Sequence, residues 1–326
     1  MFRKLFVAAA LAALAALALA AGPASAQDKF IKIATGNTGG VYYPVGVAMG
    51  QLFSKEIPGV ISSAMSTGGS VDNIGLMKMG EAQLATMIIT VAEWAHEGKE
   101  AFEGKQYDGQ RIITVLWPNL NHEVVFKDIK TPDDLKGKSF VVGAARSGTE
   151  IDAHDILAGL GLYYRESYGE KVNVEPIWLN YSEASDAMKN RQVSGGNFNA
   201  YPPGSAVADL LATGDFHILS LTDEQIESIR KQNTVYQKYT IEAGTYPKQE
   251  APVHVTGYPN LLVTTVDVDE DTVYALTKTL FENLDYLKAA HQASGQISLD
   301  IAVTDSVIPY HPGAIRYFKE KGVWKE

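Results

Sequence analysis

The sequence predicts an α/β protein with largely parallel sheets, and three observations predict it. Short apolar strand candidates alternate with segments of helical period along most of the chain. Four junctions between them are loops of glycine and small polar residues that open straight into a helix. The composition is 46% apolar with no cysteine, so stability must come from buried cores and not from disulfides.

The first 26 residues stand apart from this pattern. Arg3 and Lys4 precede an apolar run, Leu5 to Ala21, and Ala24-Ser25-Ala26 supplies an A-x-A cleavage site. The segment 1–26 therefore reads as a secretory signal peptide cleaved after Ala26, with export to the periplasm. An uncleaved anchor is the alternative, since the run touches the lower limit for a membrane span. The A-x-A site argues against it. The remaining 300 residues are enough for two domains. They carry 26 basic and 38 acidic side chains, a net charge of −12. An acidic surface disfavours nucleic acid and anionic lipid as partners, but leaves a small anion held in a cleft open.

Phe30 to Ala34 reads as the first strand, and Gly36-Asn37-Thr38-Gly39-Gly40 as a loop too glycine-rich for helix or strand. Val45, Met49, Leu52 and Phe53 recur at i, i+4, i+7 and i+8, one face of a helix. Val60–Ala64 repeats the pattern, with Ser66-Thr67-Gly68-Gly69-Ser70 leading into a helix over 71–79. Leu84–Ile89 is a buried strand, 93–110 surface helix and loop, and Ile112–Trp117 and Val124–Phe126 two further strands. A capped turn over 131–138 leads to a strand at Phe140–Val142, the loop Ala144–Gly148 and a helix over 149–160. The strand Val172–Leu179 precedes a fourth loop, where Asn180 and Ser182 cap a helix. The segment 221–254 reads as polar and irregular. Leu261–Val266 returns to strand, and one helix is expected over 273–287.

The first N–H groups of a helix lack intrahelical partners and carry partial positive charge. A Gly-rich turn lets a carboxylate or phosphate approach them closely, so four such turns point to capture of a small anion. The N–H groups of Gly39 and Gly40 and the hydroxyls of Thr67 and Ser70 are expected on one pocket wall. Nucleotide motifs fail. Residues 36–41 lack G-x-G-x-x-G spacing, and Thr149-Glu150 follows Gly143–Gly148 where a P-loop requires Lys and Ser/Thr. No G-x-S-x-G elbow or metal-binding histidine spacing occurs, so no catalytic residue, metal or cofactor is expected. Arg146, beside Ser147 and Gly148, could grip a carboxylate bidentately or stand solvated at the loop edge. Tyr42, Tyr43, Asn199 and Tyr201 combine apolar bodies with hydrogen-bonding tips. Tyr42 and Tyr43 point about 100° apart on a helix, so only one should face ligand.

Five stretches carry a resemblance: TGNTGGVYYPVG (35–46), STGGSVDN (66–73), DLKGKSFVVGAARSGTE (134–150), GTYP (244–247) and HPGAIRYFKEKG (311–322). Together they resemble the TAXI family, the extracytoplasmic solute-binding proteins of TRAP (tripartite ATP-independent periplasmic) transporters. The resemblance implies a two-domain type II periplasmic-binding-protein fold with the ligand cleft between the domains. It implies a monomer that binds a small carboxylate such as glutamate or 2-oxoglutarate and delivers it to a TRAP permease. Domain I would hold 27–119 plus 260–326 and domain II 120–259, each with its own sheet. The implied ligand residues are Asn37, Thr38, Gly39, Gly40, Tyr42, Tyr43, Thr67, Gly68, Gly69, Ser70, Asn73, Thr90, Arg146, Ser147, Gly148, Thr149, Asn199 and Tyr201. Three places depart from the family pattern. Thr90-Val91-Ala92 stands where many members carry an aspartate, Arg146 replaces a small residue, and Gly196–Asn199 is unusually polar. An enzyme built on the same fold is the alternative reading.

Overall fold

The computed structural model describes residues 28–166 and 170–324, so the signal peptide expected over 1–26 lies outside the described residues. The chain opens with β1 (Lys29–Ala34), α1 (Tyr42–Glu56), β2 (Val60–Met65), α2 (Ser70–Lys78), β3 (Leu84–Ile88) and α3 (Ile89–Glu97). The long strand β4 (Gln110–Phe126) carries it across to β5 (Ser139–Val141), α4 (Gly148–Gly159), β6 (Glu175–Ile177), α5 (Tyr181–Lys189) and β7 (Gly195–Ala200). Next come α6 (Ser205–Thr213), β8 (Phe216–Ile218), α7 (Asp223–Gln232) and β9 (Gln237–Ile241). A second long strand, β10 (Val253–Thr265), returns to α8 (Glu270–Glu282), α9 (Leu284–Ala290) and α10 (Pro312–Glu320).

The strands join in the order β2-β1-β3-β10-β4-β7-β5-β6, with β8 on β4 and β9 on β10. Two three-stranded parallel sets, β2-β1-β3 and β6-β5-β7, sit at the ends of this path. The middle is antiparallel: β10 pairs with β3, β4 and β9, and β4 with β7 and β8. The sheet is thus parallel only toward its ends, because β4 and β10 each run through the centre in the opposite sense.

Two separate sheets were expected, with strand breaks between Trp117 and Val124 and before Leu261. The structure has instead one hydrogen-bonded sheet, since β4 and β10 cross between the lobes as unbroken, mutually paired strands. Pro118 and Pro259 are directly opposed in this ribbon, and the register shifts between Pro259 and Leu261. Neither proline can donate a ladder hydrogen bond, which localises the irregularity of the crossing to that level.

Apolar cores fill the faces of each half. The largest contains Ile33, Leu52, Phe53, Leu84, Trp117 and Phe318 and reaches across the crossing to Ile151, Ile156, Ile226 and Ile229. Two smaller ones flank the second half, around Met188, Phe198 and Leu210 and around Phe140, Leu157 and Leu162. The segment 221–254 holds a helix and a strand and is not irregular throughout. Thr222 accepts from the Gln225 N–H while Gln225 reaches back to the Thr222 N–H, a capping box that starts α7. The helix expected over 273–287 is two helices, broken at Asn283.

Candidate ligand cleft

Each loop that the sequence marks as glycine-rich or small follows a parallel strand and precedes a helix. The loops after β1 and β2 belong to the first lobe, and those after β5 and β6 to the second. The two parallel sets present their carboxyl ends to each other, so all four loops meet between the lobes. A narrow cavity of about 50 Å³ lies at the meeting point. The first residue of each of four helices lines it: Tyr42 of α1, Ser70 of α2, Gly148 of α4 and Tyr181 of α5. No charged side chain is among its lining residues. Neither α1 nor α2 has a side-chain cap, so their leading N–H groups remain available to a guest.

The lobes touch closely around this cavity. A Cβ placed on Gly148 would lie 2.9 Å from Ile88 Cδ1 and 3.0 Å from Ser70 Oγ, both on the opposite lobe. Ser205 Oγ donates to the Gly39 carbonyl at 3.3 Å across the same gap. A larger residue at 148 would have to push the Ile88 and Ser70 side chains of the facing lobe aside.

The floor of the cavity is a buried polar network at the crossing strands. Asn119 and Asn199 line the cavity, and both side-chain amides donate to the Tyr258 hydroxyl at 3.0 Å. Tyr258 and Asn199 also donate to Oδ2 of Asp152, and Tyr236 donates to Oδ1 at 3.2 Å. Asn121 donates to Asn199 Oδ1 at 3.0 Å and accepts from Thr256 Oγ1 at 3.1 Å. Burial pushes the Asp152 carboxyl well above the usual carboxylate range, against the opposing pull of these donors. The Tyr181 hydroxyl bonds Thr149 Oγ1 at 2.7 Å and accepts from the Asn199 N–H at 3.0 Å. Burial pushes its pKa up to about 12, so it stays a neutral hydrogen-bonding phenol. Tyr42 donates to Asn260 on β10, and burial raises its pKa as well.

Of the expected ligand residues, Asn37, Gly40, Tyr42, Gly68, Gly69, Ser70, Ser147, Gly148, Thr149 and Asn199 line this cavity. Thr38 and Gly39 line a neighbouring one. Tyr43 lies outside both, as its 100° offset from Tyr42 requires. Thr67 does not present its hydroxyl to the cavity, because Oγ1 donates to the Thr35 carbonyl and to Asn73 Oδ1. Asn73 is structural too: its amide donates to the Thr35 and Thr86 carbonyls and ties α2 to β1 and β3. Thr90 is buried in the first turn of α3, two residues after the lining residue Ile88, and Tyr201 lies half-buried outside the lining.

Arg146 differs most from expectation. Its Nε donates to Asp72 Oδ1 at 2.6 Å, joining the 144–148 loop of one lobe to α2 of the other. It does not line the cavity. Its φ of +63° turns the side chain out of the loop and along the lobe boundary. Gly36, Ile88, Asn119 and Tyr181 line the cavity without having been expected to, and Val41, within the loop 37–43 that the resemblance implies, lines it too. Tyr181 could have been found, since it follows the helix cap Asn180. Asn119, a polar residue inside a long apolar run, could have been found too.

The sequence profile of the NMT1-like family matches residues 33–322. The chain belongs to the NMT1-like family. Several solved structures share the fold of this NMT1-like chain. A periplasmic transporter protein, 12% identical, aligns over 93% of this chain and 95% of its own with a TM-score of 0.52. A Xanthomonas citri protein bound to ATP, 10% identical, aligns over 90% and 96% with a TM-score of 0.51. The binding-protein component of an ABC phosphonate transporter from Pseudomonas aeruginosa, 12% identical, aligns over 83% and 80% with a TM-score of 0.51. At these identities the likeness speaks for architecture alone. The NMT1-like chain has the two-lobed α/β fold of periplasmic binding proteins.

Proposed function

We propose that the chain is an extracytoplasmic solute-binding protein that captures a small organic anion between its lobes and delivers it to a membrane transporter. The observation that carries this reading is the convergence of four helix starts on one interlobe cavity free of charged side chains. All four helix starts contribute partial positive charge, and α1 and α2, which have no side-chain cap, add free N–H donors, whereas Ser147 and Asn180 already accept from the first N–H groups of α4 and α5. The resemblance to TAXI proteins favours a carboxylate such as glutamate or 2-oxoglutarate, a TRAP permease as the receiving partner, and a monomer exported to the periplasm. On this reading 27–119 plus 260–326 form domain I and 120–259 form domain II, with β4 and β10 as the hinge.

Thermal denaturation and calorimetric titration against small carboxylates, inorganic anions and matched amides test the proposal. Charged members should stabilise the protein by about 2.7 kcal/mol at a hundredfold excess over Kd. Their amides should not. Equal stabilisation by both, or by no anion at all, would overturn it.

A further inference from the structure

A second cavity, of about 160 Å³, lies beside the first and shares Gly40, Val41 and Tyr181 in its wall. It too spans the lobes. Thr38 to Val41, Pro44 and His291 come from one, and Phe198, Ala200 and the start of α6 from the other. Its lining is mixed, with Thr38, Tyr181, Ser205 and His291 among the apolar residues, and only somewhat more apolar than that of the first. Val41, Pro44, Phe198, Ala200, Ala206 and Val207 supply the apolar part, and no lysine, arginine, aspartate or glutamate takes part.

The polar groups of this cavity are largely engaged within the protein. Ser205 Oγ donates to the Gly39 carbonyl, and the Tyr181 hydroxyl is held by Thr149 and Asn199. His291 Nδ1 accepts from the Ala293 N–H at 3.1 Å, and burial lowers its pKa, which keeps the ring neutral. A charged group placed here would lose water without gaining an opposite charge. An apolar group would gain contacts with the lining.

The two cavities divide the work by size as well. The first, at about 50 Å³, holds a group of only a few heavy atoms, such as one carboxylate. The second, at about 160 Å³, has room for a group the size of a benzene ring. Gly40, one of the three residues that line both cavities, brings no side chain to the wall they share, and a Cβ there would meet the Tyr181 ring at 3.7 Å, an ordinary contact distance.

We infer that the ligand is a monoanion with a compact apolar substituent, its carboxylate at the helix starts and its aliphatic or aromatic group beside α6. This rests on the solute-binding reading and narrows it, setting dicarboxylates such as 2-oxoglutarate below branched or aromatic monocarboxylates.

The test is a calorimetric titration of the full mature chain with acetate, propionate, isobutyrate, isovalerate and phenylacetate, and with succinate and glutarate. Affinity should rise about fourfold per added methylene, the equivalent of about 0.8 kcal/mol. Phenylacetate should still be admitted, and glutarate should bind more weakly than isovalerate. Ala206→Leu, which fills the second cavity from α6, should cost isovalerate and phenylacetate at least tenfold and acetate less than twofold. If acetate binds but isovalerate binds no tighter, or glutarate outranks it, this inference falls and the anion site stands. If none of the acids binds, the anion site itself falls and takes the inference with it.

Discussion

Arg146→Ala separates two roles for the arginine that bridges the lobe boundary. Its Nε stands 2.6 Å from Asp72 Oδ1, where attraction between unit charges in bulk water is about 1.6 kcal/mol. The Arg146 side chain is 64% exposed and that of Asp72 33%, so screening and the ordering of a long side chain remove most of this. Exposed pairs retain about 0.2–1 kcal/mol. Alanine keeps the Cβ, so the strain of φ +63° is common to both proteins and cancels. The ion pair exists only with the lobes together, so its loss should weaken every ligand by the same factor, at most about fivefold. Asp72 also lies against Gly68 in the cavity wall, so its own removal does more than break the pair. The assay is therefore a double-mutant cycle with Asp72→Ala, measured by calorimetric titration with a carboxylate and a second anion at two salt concentrations. Coupling of 0.2–1 kcal/mol that shrinks with salt is expected. A loss of tenfold or more confined to carboxylates, with Asp72→Ala silent, would refute the bridge and return Arg146 to the ligand.

Two further outcomes follow from the geometry. Gly148→Ala should abolish ligand binding while leaving the melting temperature of the free protein within about two degrees, because the added methyl meets Ile88 and Ser70 of the opposite lobe only on closure; a structure of the variant closed around ligand would refute the wedge. Glu123 is fully buried, neither carboxyl oxygen has a partner among the described residues, and burial raises its pKa from 4.5 to about 7. The folded state then holds this proton more tightly than the unfolded state, so its stabilising effect is complete below pH 4.5 and lost as pH rises through 7. Relative to wild type, Glu123→Gln should gain about 3 kcal/mol between those limits in urea denaturation series; parallel curves for the two proteins would contradict this.

Much of the fold was legible because its elements announce themselves locally. The apolar stripe of α1, the buried run of β3 and the small-residue loops are decided by residues within one or two turns of each other. The crossing was not. Pro118 and the asparagines at 119 and 121 read as a break between strands, since neither residue type favours a strand interior. They are tolerated because Pro118 stands opposite Pro259, and the asparagines spend their amides on Tyr258 and Asn199. Those partners lie 78 and more residues away, and no local pattern encodes them. Segment 221–254 shows the opposite case: the Thr222–Gln225 capping box was present in the sequence and marks α7.

The site follows the same division. Its backbone half was readable, because a glycine loop opening into a helix has one outcome wherever the lobes stand. Its side-chain half depends on which groups closure brings together. Thr67 and Asn73 carry the hydroxyl and amide that a ligand wall needs, yet they bond each other and the Thr35 carbonyl within one lobe. Arg146 carries the charge, yet an aspartate from the facing lobe reaches it first. With that charge matched by Asp72, attraction for an anion at the cavity rests on backbone dipoles. Dipole fields fall off within a turn of a helix end, so they can serve one carboxylate at the meeting point and little beyond it. On the solute-binding reading proposed above, the rest of the ligand is stabilised by contact more than by charge, and the side chains beside α6 are placed to offer that contact.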